Sequence, residues 1–344
     1  MKKQYRLALM VLTTLAVVPN CVFGQAGGGT LSREPAGGAA MIFRKPDNPP
    51  VHGSSGPSAV GGGRASGRAR TRTRPTVNVQ EQTIAKANAA RSAPTPRYSE
   101  AEVNYKLAAK QDPNDARAHL GLGNVFLDQG RFKEAVDAYQ QALKVKKDYA
   151  DAYQPLSYSL AQLGRFAEAA DTLKQALEYD PNNAEIYNNL AFSYGHAERY
   201  PEAIEASQKA ITLLGNTGDA YRQGLQNRNE VLSNAYKNLG NAYNGLKRYS
   251  EAADALKKAT EIEPTNAAAL FNLGLTLYNG KRYSEAIEAY KAVVKLRPQL
   301  AAVHYNLGLT YVAINDNDSA RQEYEILKTM NADLANQLSG LIKR

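Results

Sequence analysis

NLGNAYNGLKRYSEAADALKKATEIEP, residues 238 to 264, is answered 34 residues later by NLGLTLYNGKRYSEAIEAYKAVVKLRP, residues 272 to 298. Near-copies at a fixed spacing make the structural unit a repeat, and a repeat of this length buries its apolar face only against its neighbours. The rest of the chain is more copies, an interruption in them, or something attached in front.

Placing the small residue of the N-L-G phrase eighth in each copy gives six repeats: 116 to 149, 150 to 183, 184 to 217, 233 to 266, 267 to 300 and 301 to 334. Tyr236, Leu239, Gly240, Tyr243, Ala252, Leu256 and Pro264 fill the recurring slots of the fourth. Leu270, Leu273, Gly274, Leu277, Ala286, Tyr290 and Pro298 fill those of the fifth. Leu and Tyr at three- and four-residue spacing form the apolar stripes of paired helices. Gly123, Gly240, Gly274 and Gly308, with Ser157 and Ala191 in the other two copies, lack bulk where two helices cross. Ala135, Ala169, Ala203, Ala252, Ala286 and Ala320 serve the same end from the second helix. Pro181, Pro264 and Pro298 stop that helix, because proline has no donor N–H and disfavours helical geometry in the residue before it.

These residues resemble the tetratricopeptide repeat family, a 34-residue helix-turn-helix with this order of large, small, aromatic and proline slots. The resemblance covers residues 97 to 344. It implies an all-α fold, a right-handed superhelical solenoid of antiparallel helix pairs whose concave groove, lined by first helices, binds extended peptides or partner helices. Departures from the pattern mark the ends. Residues 97 to 115 match only a second helix and are expected to cap the front as a half-repeat. Asn315, Asn317 and Ala332 mark a degenerating last copy, and 335 to 344 are expected to form a capping helix. Lys147 and Gly215 stand where prolines would. Residues 218 to 232 are an insertion. Tyr221, Leu225, Leu232, Ala235, Leu239 and Tyr243 keep helical phase across it, predicting a first helix that extends and projects. Gly224 and two asparagines leave a loop with a short helix as the alternative.

The N-terminus reads as an address. Lys2, Lys3 and Arg6 precede an uncharged run from Leu7 to Val18, and Val22 and Gly24 are placed for cleavage before Gln25, the plan of a bacterial secretory signal over residues 1 to 24. Twelve residues of helix reach about 18 Å against a hydrocarbon core of about 30 Å, which favours cleavage over an uncleaved anchor and leaves no transmembrane span afterwards. The expected location is periplasmic or extracellular. Cys21 is the only cysteine and falls inside this segment, so the mature chain has no disulfide, thiolate nucleophile or thiolate metal site.

The chain of 344 residues carries 42 Lys and Arg against 33 Asp and Glu, a net +9. The excess is local. Residues 25 to 96, rich in Gly, Pro, Ser and Arg with only a trace of helix between Gln80 and Ala90, are read as a disordered linker, and the repeats are nearly neutral. Within the linker Arg64, Arg68, Arg70, Arg72 and Arg74 suit an anionic envelope component or act as a solvated spacer. No aromatics interleave them for base stacking, and export disfavours nucleic acid.

No catalytic constellation is present: there is no His-x-x-x-His spacing, phosphate loop or serine elbow, and neither metal nor cofactor is implied. His119 and His304 take the large-residue slot of a first helix and are expected to pack between helices. Asn189, Asn238, Asn272 and Asn306 share the sixth position of their repeats. Carboxamides donate and accept, so such a column suits a peptide main chain. It resembles the asparagine ladder in the groove of O-linked N-acetylglucosamine transferases; the alternative is that each Asn caps or solvates its helix. Lys237, Asn241 and Asn272 also match three of the carboxylate-clamp positions of chaperone-binding members, with Ala302 and Asn306 where that clamp has basic residues. The sequence is therefore read as a non-enzymatic scaffold binding a peptide segment or partner protein, with a tether anchored by the Arg-rich tail, or an accessory subunit of a separate enzyme, as alternatives.

Overall fold

The computed structural model describes residues 79–215 and 225–342. The stretch read as a secretory signal, the arginine-rich stretch and residues 218–224 lie outside the described residues, so the readings made on them rest on sequence alone. The described residues contain fifteen helices, divided at Asp180 and Pro181 into two compact units.

The first unit holds three antiparallel pairs: α1 (Val79–Arg91) with α2 (Tyr98–Gln111), α3 (Ala116–Asp128) with α4 (Phe132–Val145), and α5 (Ala150–Gln162) with α6 (Phe166–Tyr179). α1 corrects the sequence reading. It lies in the stretch read as linker and turns the expected half-repeat at 97 to 115 into a full pair. Its inward face is Thr83, Ile84, Ala87, Asn88, Ala90 and Arg91, too polar for an apolar stripe. The polar members find partners instead. The Arg91 guanidinium meets Asp128 of α3 at 2.8 Å, both nearly inaccessible, and the Tyr105 hydroxyl of α2 donates to Asn88 Oδ1. At the rim, Gln80 and Glu81 reach Asp115 and Arg117.

The second unit contains α7 (Ala184–His196) with α8 (Tyr200–Gly215), α9 (Leu225–Gly245) with α10 (Tyr249–Ile262), α11 (Ala267–Asn279) with α12 (Tyr283–Leu296), α13 (Ala301–Ala313) with α14 (Asn317–Met330), and a final α15 (Ala332–Ser339). α9 begins eight residues before its repeat, so the extended-helix reading holds from Leu225 onward. The extension does not project freely: Arg228 donates to the Leu214 main-chain oxygen at 2.9 Å and Val231 is buried. α15 starts earlier than the expected cap, where Asn331 Oδ1 accepts the Leu334 N–H at 3.0 Å. Its Leu338 covers Gly308 so closely that a Cβ there would lie 2.5 Å from the leucine.

Small-residue slots set how near the paired helices come. All six second-helix alanines of the repeats, from Ala135 to Ala320, have no exposed surface. A Cβ at Gly123 or Gly274 would sit 2.5 or 2.6 Å from the ring of Tyr139 or Tyr290. Except between α1 and α2, each turn between paired helices has one residue with positive φ: Gly130, Gly164, Glu198, Lys247, Lys281 and Asn315, at 59–74°. Side chains bearing a Cβ are strained there. Lys281→Gly is accordingly expected to stabilise the second unit by about 0.5–1 kcal/mol after the added chain entropy of glycine, read as a rise of a few degrees in Tm; a fall would refute strain in this turn.

Candidate functional site

The first helices of the second unit, α7, α9, α11 and α13, pack side by side, and each leaves one stripe uncovered by its second helix. Along this face the chemistry changes. At α7 and α9 it is built of amides. Asn238 Nδ2 donates to the main-chain oxygen of Asn188 at 3.2 Å and to its Oδ1 at 3.0 Å, and Asn188 Nδ2 lies 3.4 Å from Asn189 Oδ1. Lys237 Nζ donates to Asn234 Oδ1 at 2.6 Å. Asn188, Asn189, Asn234, Lys237 and Asn238 are all buried. Between α9 and α11, Asn272 Nδ2 donates to Asn241 Oδ1 at 2.9 Å.

The column of four asparagines is therefore not four rungs facing outward. Asn238 bonds across to α7 and Asn272 across to α9, so each ties neighbouring first helices together. Asn306 turns back on its own helix, donating to the Ala302 oxygen at 2.9 Å. Asn241 and Asn306 are half-buried and present part of their surface, as does Asn244. The first unit has no such column, because Gly121 and Pro155 occupy the corresponding position.

Beyond Asn241 the face becomes apolar. Leu275 of α11 and Leu309 of α13, at the same repeat position as Asn241, are half-exposed, with Ala268, Phe271 and Ala302 beside them. Phe271 lies edge-on to Tyr290, ring centroids 5.9 Å apart. This half of the face carries a feature that sequence reading missed. In the first unit Tyr139 OH donates to Asn124 Oδ1 at 2.8 Å. Tyr290 is the equivalent tyrosine, but Leu275 replaces the asparagine, and the buried Tyr290 hydroxyl has no hydrogen-bond partner among the described residues. Burial pushes its phenol far above the ordinary value. A buried hydroxyl left unsatisfied destabilises by about 1–3 kcal/mol, although the asparagine that satisfies Tyr139 leaves its own Asn124 Nδ2 buried and without a partner among the described residues. Reading the Asn124, Asn241, Leu275 and Leu309 column across repeats was the signal available for it.

Other places offer less. A shallow depression of about 280 Å³ between α3 and α4 is lined by His119, Leu122, Phe126 and Asp137, among others; its apolar floor is already at least nine-tenths buried, so a ligand there removes little surface from water. His304 is buried between α13 and α14 as expected, whereas His119 is half-exposed, its Nε2 3.1 Å from the Pro113 oxygen. Glu residues pair with Arg at the start of second helices, as in Arg165–Glu168 and Arg282–Glu285, each at 2.6 Å. Such exposed pairs contribute little. No described helix is long and apolar enough to cross a membrane.

Comparison with known proteins agrees with the helix pairs. Residues 105–221 match the TPR-domain family of cytochrome c-type biogenesis protein H, and two further tetratricopeptide repeat families match 182–265 and, in overlapping copies, 237–301 and 271–335. Among solved structures, a tetratricopeptide repeat protein from Parabacteroides merdae shares 15% identity, with 76% of this chain and 98% of that one covered at a TM-score of 0.57. PilW, a type IV pilus biogenesis factor, shares 19%, covering 66% and 98% at a TM-score of 0.55. PilF of Pseudomonas aeruginosa shares 19%, covering 67% and 99% at 0.51. No curated protein matches. Repeat slots, helix pairs and family matches together show that the chain belongs to the tetratricopeptide repeat family.

Proposed function

We propose that this protein is a non-enzymatic scaffold of the cell envelope that binds a peptide segment or partner protein on the first-helix face of its second unit. The carrying observation is Leu275: a half-exposed leucine stands where an asparagine would satisfy the buried Tyr290 hydroxyl. Apolar surface kept at such a position suits contact with another molecule. The amide region beside it, with Asn241 half-buried, supplies main-chain hydrogen bonding, while Leu275, Leu309 and Phe271 supply the apolar contact. Asn189, Asn238 and Lys237 act from below in this reading, holding α7 and α9 in register. An exported location is supported by the basic, then apolar, then small-residue N-terminus. Two comparisons lean the same way by name, one a cytochrome c-type biogenesis protein and the other a pilus biogenesis factor.

Leu275→Glu with Leu309→Glu tests the face. Both side chains are half-exposed, so folding is expected to survive. Affinity for a partner recovered by crosslinking in the native envelope is expected to fall more than tenfold, about 1.4 kcal/mol. Wild-type affinity at wild-type Tm would sink the proposal.

The run Arg64 to Arg74 favours a second reading, a tether to an anionic envelope component. Its test is deletion of residues 27–78, stopping there because Val79 begins α1. Retention in the envelope after that deletion would rule the tether out.

A further inference from the structure

His304 of α13 is buried, and both of its ring nitrogens face oxygen acceptors. Nδ1 lies 2.7 Å from Glu323 Oε2 on α14, and Nε2 lies 3.0 Å from the main-chain oxygen of Pro298 in the turn before α13. A neutral imidazole has one N–H and satisfies one of these contacts. The other contact then sets lone pair against lone pair at hydrogen-bonding distance. Both are made only when the site holds one more proton, on the ring or on the carboxyl group.

His119 is an internal comparison. It occupies the same repeat position and makes the same Nε2 contact with the Pro113 oxygen, at 3.1 Å. Ala138 stands where Glu323 does in the last repeat, so one N–H suffices for His119.

Among the described residues, Glu323 is the one charged group in contact with the His304 ring. The turn after α12 contributes the Pro298 carbonyl, and α15 contributes the apolar Leu338 against Gly308, one turn along α13. Lys291 of α12 and Asp316 before α14 act on Tyr311, which is also within electrostatic reach of Glu323.

We propose that His304 and Glu323 form a proton-dependent lock that holds the last helix pair and its cap together, so that the C-terminal end of the second unit loosens as pH rises. The Glu323 hydrogen bond raises the imidazole above its ordinary value, against the opposing effect of burial. A group raised on folding contributes stability that is fully present below its unfolded value, about 6.5, and lost as pH passes the folded value. α13 also carries Asn306 and Leu309, so release of the lock disturbs the end of the binding face; the lock itself does not depend on that face having a ligand.

The test is hydrogen exchange of the full chain between about pH 6 and pH 9, corrected for intrinsic rates. Amides of α14 and α15 are expected to lose several-fold to about tenfold in protection, while α10 and α11 hold theirs. Glu323→Gln and His304→Gln are each expected to flatten the profile. NMR titration of the wild-type His304 ring is independent of whether either variant folds, and a midpoint above 6.5 is expected. A midpoint at or below that value, or a Glu323→Gln profile as steep as wild type, overturns the lock.

Discussion

Replacing Asp128 with alanine is expected to destabilise the first unit by about 3–5 kcal/mol, the loss usual when a carboxylate is removed from a buried ion pair. The side chains of Arg91 and Asp128 are 5% and 3% exposed and meet at 2.8 Å. The guanidinium lies too deep for water to replace the missing carboxylate. The change would also weaken the hold on α1, which has only Ile84, Ala87 and Ala90 as buried apolar residues. Two measurements check this. Urea denaturation gives the loss, and limited proteolysis should show faster cleavage in the Ser92 to Arg97 connection. Converting the pair together, Arg91→Met with Asp128→Leu, should recover much of the stability, since a well-packed apolar pair is often as good as a buried ionic one. A single-variant loss below about 1 kcal/mol would mean that α1 is held by something other than this pair.

Gly121→Ala is expected to lower stability by about 2–3 kcal/mol, although glycine to alanine inside a helix ordinarily raises it by about 0.5–1 kcal/mol. The sign reverses because the added methyl would lie 2.1 Å from the Tyr105 ring. That ring has no exposed surface and its hydroxyl is engaged with Asn88, so it cannot swing aside. Burial pushes the Tyr105 phenol up to about 12. Gly195→Ala is the matched contrast: outside its own stretch of helix backbone no atom lies within 4 Å of its prospective Cβ, and the ordinary gain should appear. If both variants shift Tm in the same direction, close approach is not what keeps glycine at position 121.

The repeat slots were legible because they recur. Alanines such as Ala252 and Ala286 are fully buried where the 34-residue frame puts them, and Gly274 lies under Tyr290 as its slot requires. α1 was not legible because its stability comes from pairwise polar contacts. Asn88 and Arg91 look like solvated residues until Tyr105 and Asp128 are brought beside them. The asparagine column was visible in sequence, but its bonding was not. Asn238 bonds to Asn188, which is not in the column, because the contact depends on how α7 and α9 are rotated against each other. Leu275 illustrates the same limit from the opposite side: by its apolar character it is an unremarked stripe residue, and only the stranded Tyr290 hydroxyl shows what its presence displaces.

Phe271 lies half-exposed on the first-helix face of the second unit, with its ring edge-on to Tyr290, in a chain that contains 21 tyrosines and no tryptophan. Phe271→Trp would therefore introduce a single indole whose emission can be excited apart from every native fluorophore. Its spectrum would report solvent exclusion at one chosen point of the face, so occupancy can be followed optically before the ligand has been purified or labelled.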